Sequence, residues 1–252
     1  MNNLEKLKLK TIEEDNYKFG LSTLHAYLNF FECFKNISYK LEIKKWQARS
    51  EFEKKSVEKR KQMIQQEFRS QLNLLVDKVQ PGGSGTSNDG NTARKFFKYY
   101  EKASEITGIN KILIYRCGVI LRVMSSGFEI DSAAFKNYCS ETAKMYVELY
   151  NWYYMPVTVH KILIHGADVI KKFLLPIGQL SEEAQESRNK DLKLFRRHHT
   201  RKNSRQNSNL DLMHHLFVTS DPLITSLREL KSKKRSKLSH DELCLLLPSS
   251  DC

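Results

Sequence analysis

The sequence predicts a mainly α protein on three observations. Apolar residues recur at intervals of three and four over long stretches, almost nothing alternates with period two, and Gly, Pro and Asn punctuate the ends of the periodic stretches. Roughly seven to nine helices are expected from that pattern. Residues 19–35, FGLSTLHAYLNFFECFK, set Leu21, Leu24, Leu28, Phe31 and Phe34 at helical spacing, which predicts a buried helix from Ser22 onward. The following stretch, LEIKKWQARSEFEKKSVEKRKQMIQQEFRSQLNLLVDK, is densely charged and rich in helix formers, and reads as one or two long, mostly solvated helices. PGGSGTSNDG, residues 81–90, gives the backbone access to positive φ and is the clearest break in the chain.

Beyond the break, NTARKFFKYYEKASEITG predicts a helix capped at Asn91 or Thr92 and ended by Gly108. A second helix covers INKILIYRCGVILRVMSS and stops near Gly127. FEIDSAAFKNYCSETAKMYVELYNWYY repeats the pattern, with Phe135, Tyr138, Ala143, Tyr146, Val147 and Tyr150 as the face to be buried. Pro156 interrupts, VTVHKILIHGADVIKKFLL resumes, and Pro176-Ile177-Gly178 turns the chain before Ser181 caps the next helix. HDELCLLLPS reads as a short closing helix. The expected division is a helical region over 1–80, a Gly-rich loop and basic helix start over 81–95, a second helical region over 96–155, a histidine- and glutamate-bearing segment with a basic extension over 156–220, and a flexible basic tail over 221–252.

A net charge of +13 and a pI near 9.4 point to a polyanionic partner. With no long apolar span, nucleic acid is expected rather than a membrane. MNNLEKLKLKTIEED has no apolar core of a signal peptide. Cys33, Cys117, Cys139, Cys244 and Cys252 are scattered and odd in number with no CxxC pair, which suits a reducing compartment. The run KSKKRSK at 231–237 suits a nuclear-import signal or a DNA-contacting tail, and equally suits plain solvated charge.

Four constellations carry chemistry. In GQLSEEAQESRNKDLKLFRR, Glu183 and Glu186 share a helix face that Lys190, Lys193 and Arg197 continue, beside Arg196. Acids early and bases late in a helix complement its dipole. The same pattern also supplies a carboxylate for Mg²⁺ or Mn²⁺ next to a clamp for phosphates. His160 and His165 in VHKILIH are one residue further apart than two zinc ligands on a regular helix, and they make only half of a tetrahedral site, so two ordinary histidines are the simpler reading. SGTSNDGNTARKFF places exposed amides at a helix start with Arg94 and Lys95, a phosphate seat or merely a loop junction, without the P-loop spacing. Arg201, Lys202 and Arg205 in HHTRKNSRQNSN suit phosphate contact rather than base reading.

Taken in order, four stretches resemble the C-terminal part of the Transib-type DDE transposases and their relative, the catalytic subunit of the vertebrate V(D)J recombinase. They are STLHAYLNFFECF with KKWQA and LNLL; NDGNTARKFF; VHKILIHGADVIKK with IGQLSEEAQESRNKDLKLFRR; and DLMHHLFVTSDPLI. The resemblance runs from about Ser22 to Ile224. It implies the helical insertion and C-terminal region of a ribonuclease-H-like DDE recombinase. In that family two aspartates and a late glutamate hold two divalent ions for strand nicking and transfer, and the glutamate lies in an ES-x-NK setting. Here that setting is Glu186-Ser187-Arg188-Asn189-Lys190, which assigns the role to Glu186. The family's zinc histidines correspond to His160 and His165, and a DNA-approaching segment to Asn91, Arg94 and Lys95. Its aspartates and zinc cysteines lie before the first matching stretch, and this sequence begins about twenty residues ahead of it. The expectation is therefore a nuclear, double-stranded-DNA-binding fragment with the sheet core largely absent. It would contribute the late glutamate, need Mg or Mn only in a completed site, pair as a homodimer, depend on a transposase segment encoded upstream, and be inactive alone. The alternative is a helical scaffold that binds acidic partners and has no nucleic-acid role.

Overall fold

Most of the helices start where a short polar side chain takes up a free backbone N–H. Ser22 accepts from the His25 amide at 3.2 Å and opens α1 (Thr23–Lys40). Ser50 and Glu53 form a reciprocal capping box at the head of α2 (Glu51–Leu72), which ends on Asn73 in the left-handed conformation. The computed structural model describes residues 21–79, 86–173, 175–180, 183–227 and 237–248, without the side chains of 180, 183–187 and 225. Asp89 opens α3 (Gly90–Lys98), so the expected caps at Asn91 or Thr92 are corrected: the aspartate carboxylate reaches the Thr92 amide at 2.8 Å. The helix expected to run on to Gly108 breaks at Tyr99 (ψ 46°), leaving α4 (Tyr100–Thr107) as a separate element closed by Gly108 at φ 73°.

Asn110 and Asp131 cap α5 (Lys111–Ser125) and α6 (Ser132–Tyr150), and α7 (Val157–Ile170) starts directly after Pro156, whose fixed φ suits a helix entry. A 3₁₀ turn (Ile177–Leu180) follows. Then come α8 (Glu183–His198), α9 (Arg205–Ser220), α10 (Pro222–Ser226) and α11 (His240–Leu243). Ser181, the expected cap of α8, lies outside the described residues. Among the described residues there is no strand, only two isolated bridges, and no helix is long and apolar enough to cross a membrane.

The chain divides into two compact units, one from Met1–Ser181 with Ser239–Cys252 and one from Glu182–Leu238. In the first unit α1 is the hub, packed by α2, α3, α4, α5 and α7, while α6 lies on α5 and α7. It is buried nearly all round, which the one-sided spacing of Leu21, Leu24, Leu28, Phe31 and Phe34 understates. Phe31 and Phe34 of α1 meet Phe96 of α3 at ring-centre distances of 5.3 and 6.3 Å, and Phe68 of α2 joins at 6.1 Å. Edge-on and offset aromatic pairs of this kind add about 0.5–1.5 kcal/mol each beyond their area. By contrast α2 buries only Ile64 and Phe68, which makes it the single solvated helix the charge pattern allowed.

The expected division at 156 and 221 gives way to a different one. Residues 156–180 belong to the first unit, and 239–248 are no basic tail. Ser239 and Glu242 form a capping box, and the almost fully buried Glu242 pairs with Arg122 at 3.0 Å. Leu245 enters the core, and Asp131 and Leu247 donate backbone hydrogen bonds to Leu245 and Glu129. A run of apolar residues beyond a basic stretch finds its partner over a hundred positions earlier, Leu246 opposite Ile130, a long-range contact that local pattern does not carry.

Candidate nucleic-acid interface

The second unit is a helical hairpin, α8 against α9, and its contact face is set by a few named groups. Arg188 donates to the Leu216 carbonyl at 3.1 Å and to Ser220 Oγ at 2.6 Å. Phe195 stacks on His215 with ring centres 5.1 Å apart, and His199 sits edge-on to His215 at 5.7 Å. Arg188 and Phe195, with His199 just past the helix end, therefore mark the side of α8 turned to α9. At about 100° per residue, Glu186, Lys190, Lys193 and Arg197 fall within roughly 60° of one another on the opposite side. Lys190, Lys193, Arg196 and Arg197 are exposed. The backbone of Glu186 lies in α8, and its side chain is outside the described residues.

The other cations of this unit are differently placed. Arg201 grips Asp211 with two guanidinium nitrogens, at 3.0 and 2.8 Å, and its backbone N–H donates to the same carboxylate at 2.8 Å. Those bonds hold the Asp211 carboxyl down at about 2. Arg201 is thus half neutralised as the clasp of the α8–α9 turn. Lys202 donates to the Arg196 carbonyl and to Thr200 Oγ1, closing the end of α8, where a cation also meets the negative end of the dipole. Arg205 is exposed at the first position of α9.

In the first unit Asn91 and Lys95 are exposed on α3, and the Arg94 guanidinium lies 5.1 Å over the ring of Tyr27. Asp89 puts a carboxylate of the chain's own at the amide end of this helix, which favours the loop junction over the phosphate seat there and leaves the side chains of Asn91 and Lys95 exposed beyond it. An anion arriving there would meet a like charge. Asn88 just before it donates to Glu32 and Asp77, both at 2.6 Å, and Lys35 reaches both carboxylates at 2.5 Å. Sequence reasoning missed this part-buried cluster, since Lys35 reads as one more polar position of α1. Its legible signal is Glu32 and Lys35, three apart, inside an otherwise aromatic-rich run.

His160 and His165 come together on α7 with ring centres 5.2 Å apart at 66°. His165 is buried, and its Nε2 has no hydrogen-bond partner among the described residues. Burial, followed by the neighbouring His160, lowers its pKa, which keeps the imidazole neutral and able to bind a metal. Among the described residues no group of three or more His, Cys, Asp or Glu is placed to hold a metal ion. Two imidazoles five residues apart are at most half of a tetrahedral zinc site. No protein-family model matches the chain, and no curated protein matches it.

Proposed function

We propose that this chain is a DNA-binding portion of a Transib-like DDE transposase, belonging to the helical region of a ribonuclease-H-like recombinase, with α8 carrying the late glutamate of a two-metal strand-cleavage site. The observation that carries this reading is the register of Glu186 with the exposed Lys190, Lys193 and Arg197 on the face of α8 turned away from α9. A phosphodiester held for metal-assisted attack needs cations on its flanking phosphates and a carboxylate for the ion, and one helix face supplies both kinds of group. One glutamate cannot clamp two ions, so cleavage requires aspartates from a separately encoded or upstream segment, with Mg or Mn bound in the completed site. Arg196 and Arg205 extend the cationic surface, with Asn91, Arg94 and Lys95 as a further contact. The half-site of His160 and His165 would take zinc once cysteines from that same segment complete it. The basic run at 231–237 lies outside the described residues but for Lys237, and suits import into the nucleus, where the DNA is.

The test is fluorescence anisotropy of a labelled 20-base-pair duplex with the purified chain over a salt series. Four phosphate contacts give a log–log slope of about −3.6, or roughly a hundredfold loss of affinity from 50 to 200 mM salt. Replacing Lys190, Lys193 and Arg197 together by Ala is expected to flatten that slope by about three contacts' worth. Glu186→Gln, in metal-free buffer, should bind as well or slightly better, because it removes a negative charge from the phosphate-facing side. A wild-type chain that ignores duplex at 50 mM salt and instead retains acidic proteins would sink the reading and install the scaffold alternative.

A further inference from the structure

The turn that joins α8 to α9 lies in a stretch that repeats a short pattern every four residues: Arg197-His198-His199-Thr200, Arg201-Lys202-Asn203-Ser204, Arg205-Gln206-Asn207-Ser208. Each unit sets an arginine three residues before a hydroxyl. A protein kinase whose substrate groove is lined with carboxylates selects its acceptor by cations at such fixed offsets, through charge-assisted hydrogen bonds. The structure separates the three hydroxyls. Thr200 Oγ1 donates to the Arg196 carbonyl at 2.9 Å and Ser208 Oγ donates to the Arg201 carbonyl, and both residues are only partly exposed. Ser204 is exposed at the end of the six-residue link between the helices, with an extended backbone at φ −153° and ψ 157°. Its Oγ accepts from the Asn207 amide at 3.1 Å, a bond that does not use the hydroxyl proton.

A kinase holds its substrate extended, so the first turn of α9 has to open around Ser204. None of the sixteen residues of α9 is buried, and that opening breaks the cap and a few terminal hydrogen bonds without uncovering a core. The Arg201 side chain is 57% exposed even while it holds Asp211, so its guanidinium is open to an approaching carboxylate. We propose that Ser204 is a phosphorylation site for a basophilic serine kinase, and that its phosphate discharges the cationic end of the hairpin. Ser204 Oγ attacks the γ-phosphorus of kinase-bound ATP. The new O–P bond forms as the bond from that phosphorus to the β,γ-bridging oxygen breaks, ADP leaves, and the hydroxyl proton passes to the kinase's catalytic aspartate. Between Asp191 and Asp211 the sequence carries six Lys or Arg and no acid. One phosphoserine brings a charge of about −1.5 to −2 into that stretch. Seated at the head of α9 the phosphate meets the free amides and positive dipole end of the helix, so the hairpin stays folded while its cations turn to an internal anion. The consequence for DNA rests on the function proposed above; the modification does not.

The test incubates the full chain with MgATP and the catalytic subunit of the cyclic-AMP-dependent kinase, and maps the phosphate by tandem mass spectrometry. Among the hydroxyls of α8, α9 and their turn, Ser204 is expected to be the main acceptor. Ser204→Asn, which keeps a good cap and removes the hydroxyl, should remove most label from this part of the chain. Arg201→Ala should slow labelling of Ser204 about tenfold by removing the cation at the recognised offset, whereas a looser turn alone would speed it. Anisotropy with the labelled duplex in about 100 mM salt then reads the consequence. The phosphorylated chain should bind roughly tenfold more weakly than the unmodified one, and Ser204→Asp roughly threefold more weakly than Ser204→Asn, a pair that differs in charge and hardly in capping. Label that goes mainly to Thr200 or Ser208, no label at Ser204, or a phosphorylated chain that binds duplex like its parent overturns the proposal. If the unmodified chain ignores duplex, the proposed function falls by itself, and the phosphate map still decides whether Ser204 is the site.

Discussion

Lys35 shows how a single residue ties a loop to the core. It is buried on α1, and its ammonium lies 2.5 Å from both Glu32 and Asp77, while Tyr39 donates to Asp77 at 3.0 Å. Burial pushes the Asp77 carboxyl up, yet the hydrogen bonds from Lys35 and Asn88 outweigh it and the net direction is down. Removing one member of a part-buried ionic cluster leaves the rest uncompensated, at a cost of about 3 kcal/mol. Lys35→Met should therefore lower the urea midpoint by that amount, whereas a change at exposed Lys54 should leave it within about 0.5 kcal/mol. His165 makes a prediction of opposite chemistry. Its pKa is lowered in the folded chain, from an unfolded value of about 6.5, so the unfolded state takes up the proton first. Stability on this account is full above pH 6.5 and falls as the pH drops below it, down to the folded pKa. Denaturation midpoints from pH 7.5 to 5 should decline less steeply in His165→Leu than in the parent. An unchanged acid limb would mean that His165 is not the titrating group.

At the scale of elements, most helices were legible because they end on residues whose local chemistry is decisive. Ser22, Gly108 and Pro156 mark boundaries in the sequence and in the fold alike. The cap of α3 was misplaced by two or three residues, since Asp89, Asn91 and Thr92 are all residue types that can cap and it is Asp89 that accepts from the Thr92 amide. The apolar face of α6 was read correctly at Phe135, Ala143, Tyr146 and Tyr150, while Tyr138 and Val147 are only partly buried, and Thr142 is buried too, bonded to Arg116 at 2.9 Å and to the Tyr138 carbonyl at 2.7 Å. A polar residue satisfied from a neighbouring helix leaves no trace in a hydropathy pattern. The return of α11 to α5 was equally hidden, and it makes a prediction at this scale. Glu242 is buried, holds the part-exposed Arg122 and caps the amide of Ser239 at 2.7 Å, so Glu242→Ala removes an ion pair and one capping bond together. A loss of about 2 kcal/mol is expected, the cap contributing about half and the part-exposed ion pair the rest. Hydrogen exchange should accelerate at the Asp131 and Leu247 amides, which bond across to and from this segment, with little change at Phe96 in the core. Equal acceleration at all three would mean global loosening, and the segment would not be a separable element.

For the molecule as a whole, the decisive quantity is where the charge of +13 is free to act and where it is spent inside the fold. Composition gives the sum and cannot give that partition. Lys35 lies in the core with two carboxylates, Arg116 binds Glu141 and stacks 3.9 Å over Tyr138, Arg188 ties α8 to α9, and Arg201 is clasped by Asp211. These cations add to the total and offer little to a phosphate. Lys190, Lys193 and Arg197 stand exposed on one helical face. Arg197 and Arg201, four residues apart in one basic run, therefore separate the two roles although the sequence presents them as equivalent. Arg197→Ala should reduce the slope of log affinity against log salt by about one and leave the thermal midpoint unchanged. Arg201→Ala should do the reverse: the freed Asp211 carboxylate loses its main partner, the α8–α9 turn loosens, and the salt slope moves by less than half as much as for Arg197. Parallel anisotropy and melting curves on the two variants decide it. If both change the salt slope alike, free and clasped cations are interchangeable at the DNA, and binding is a property of net charge instead of the ordered face of α8.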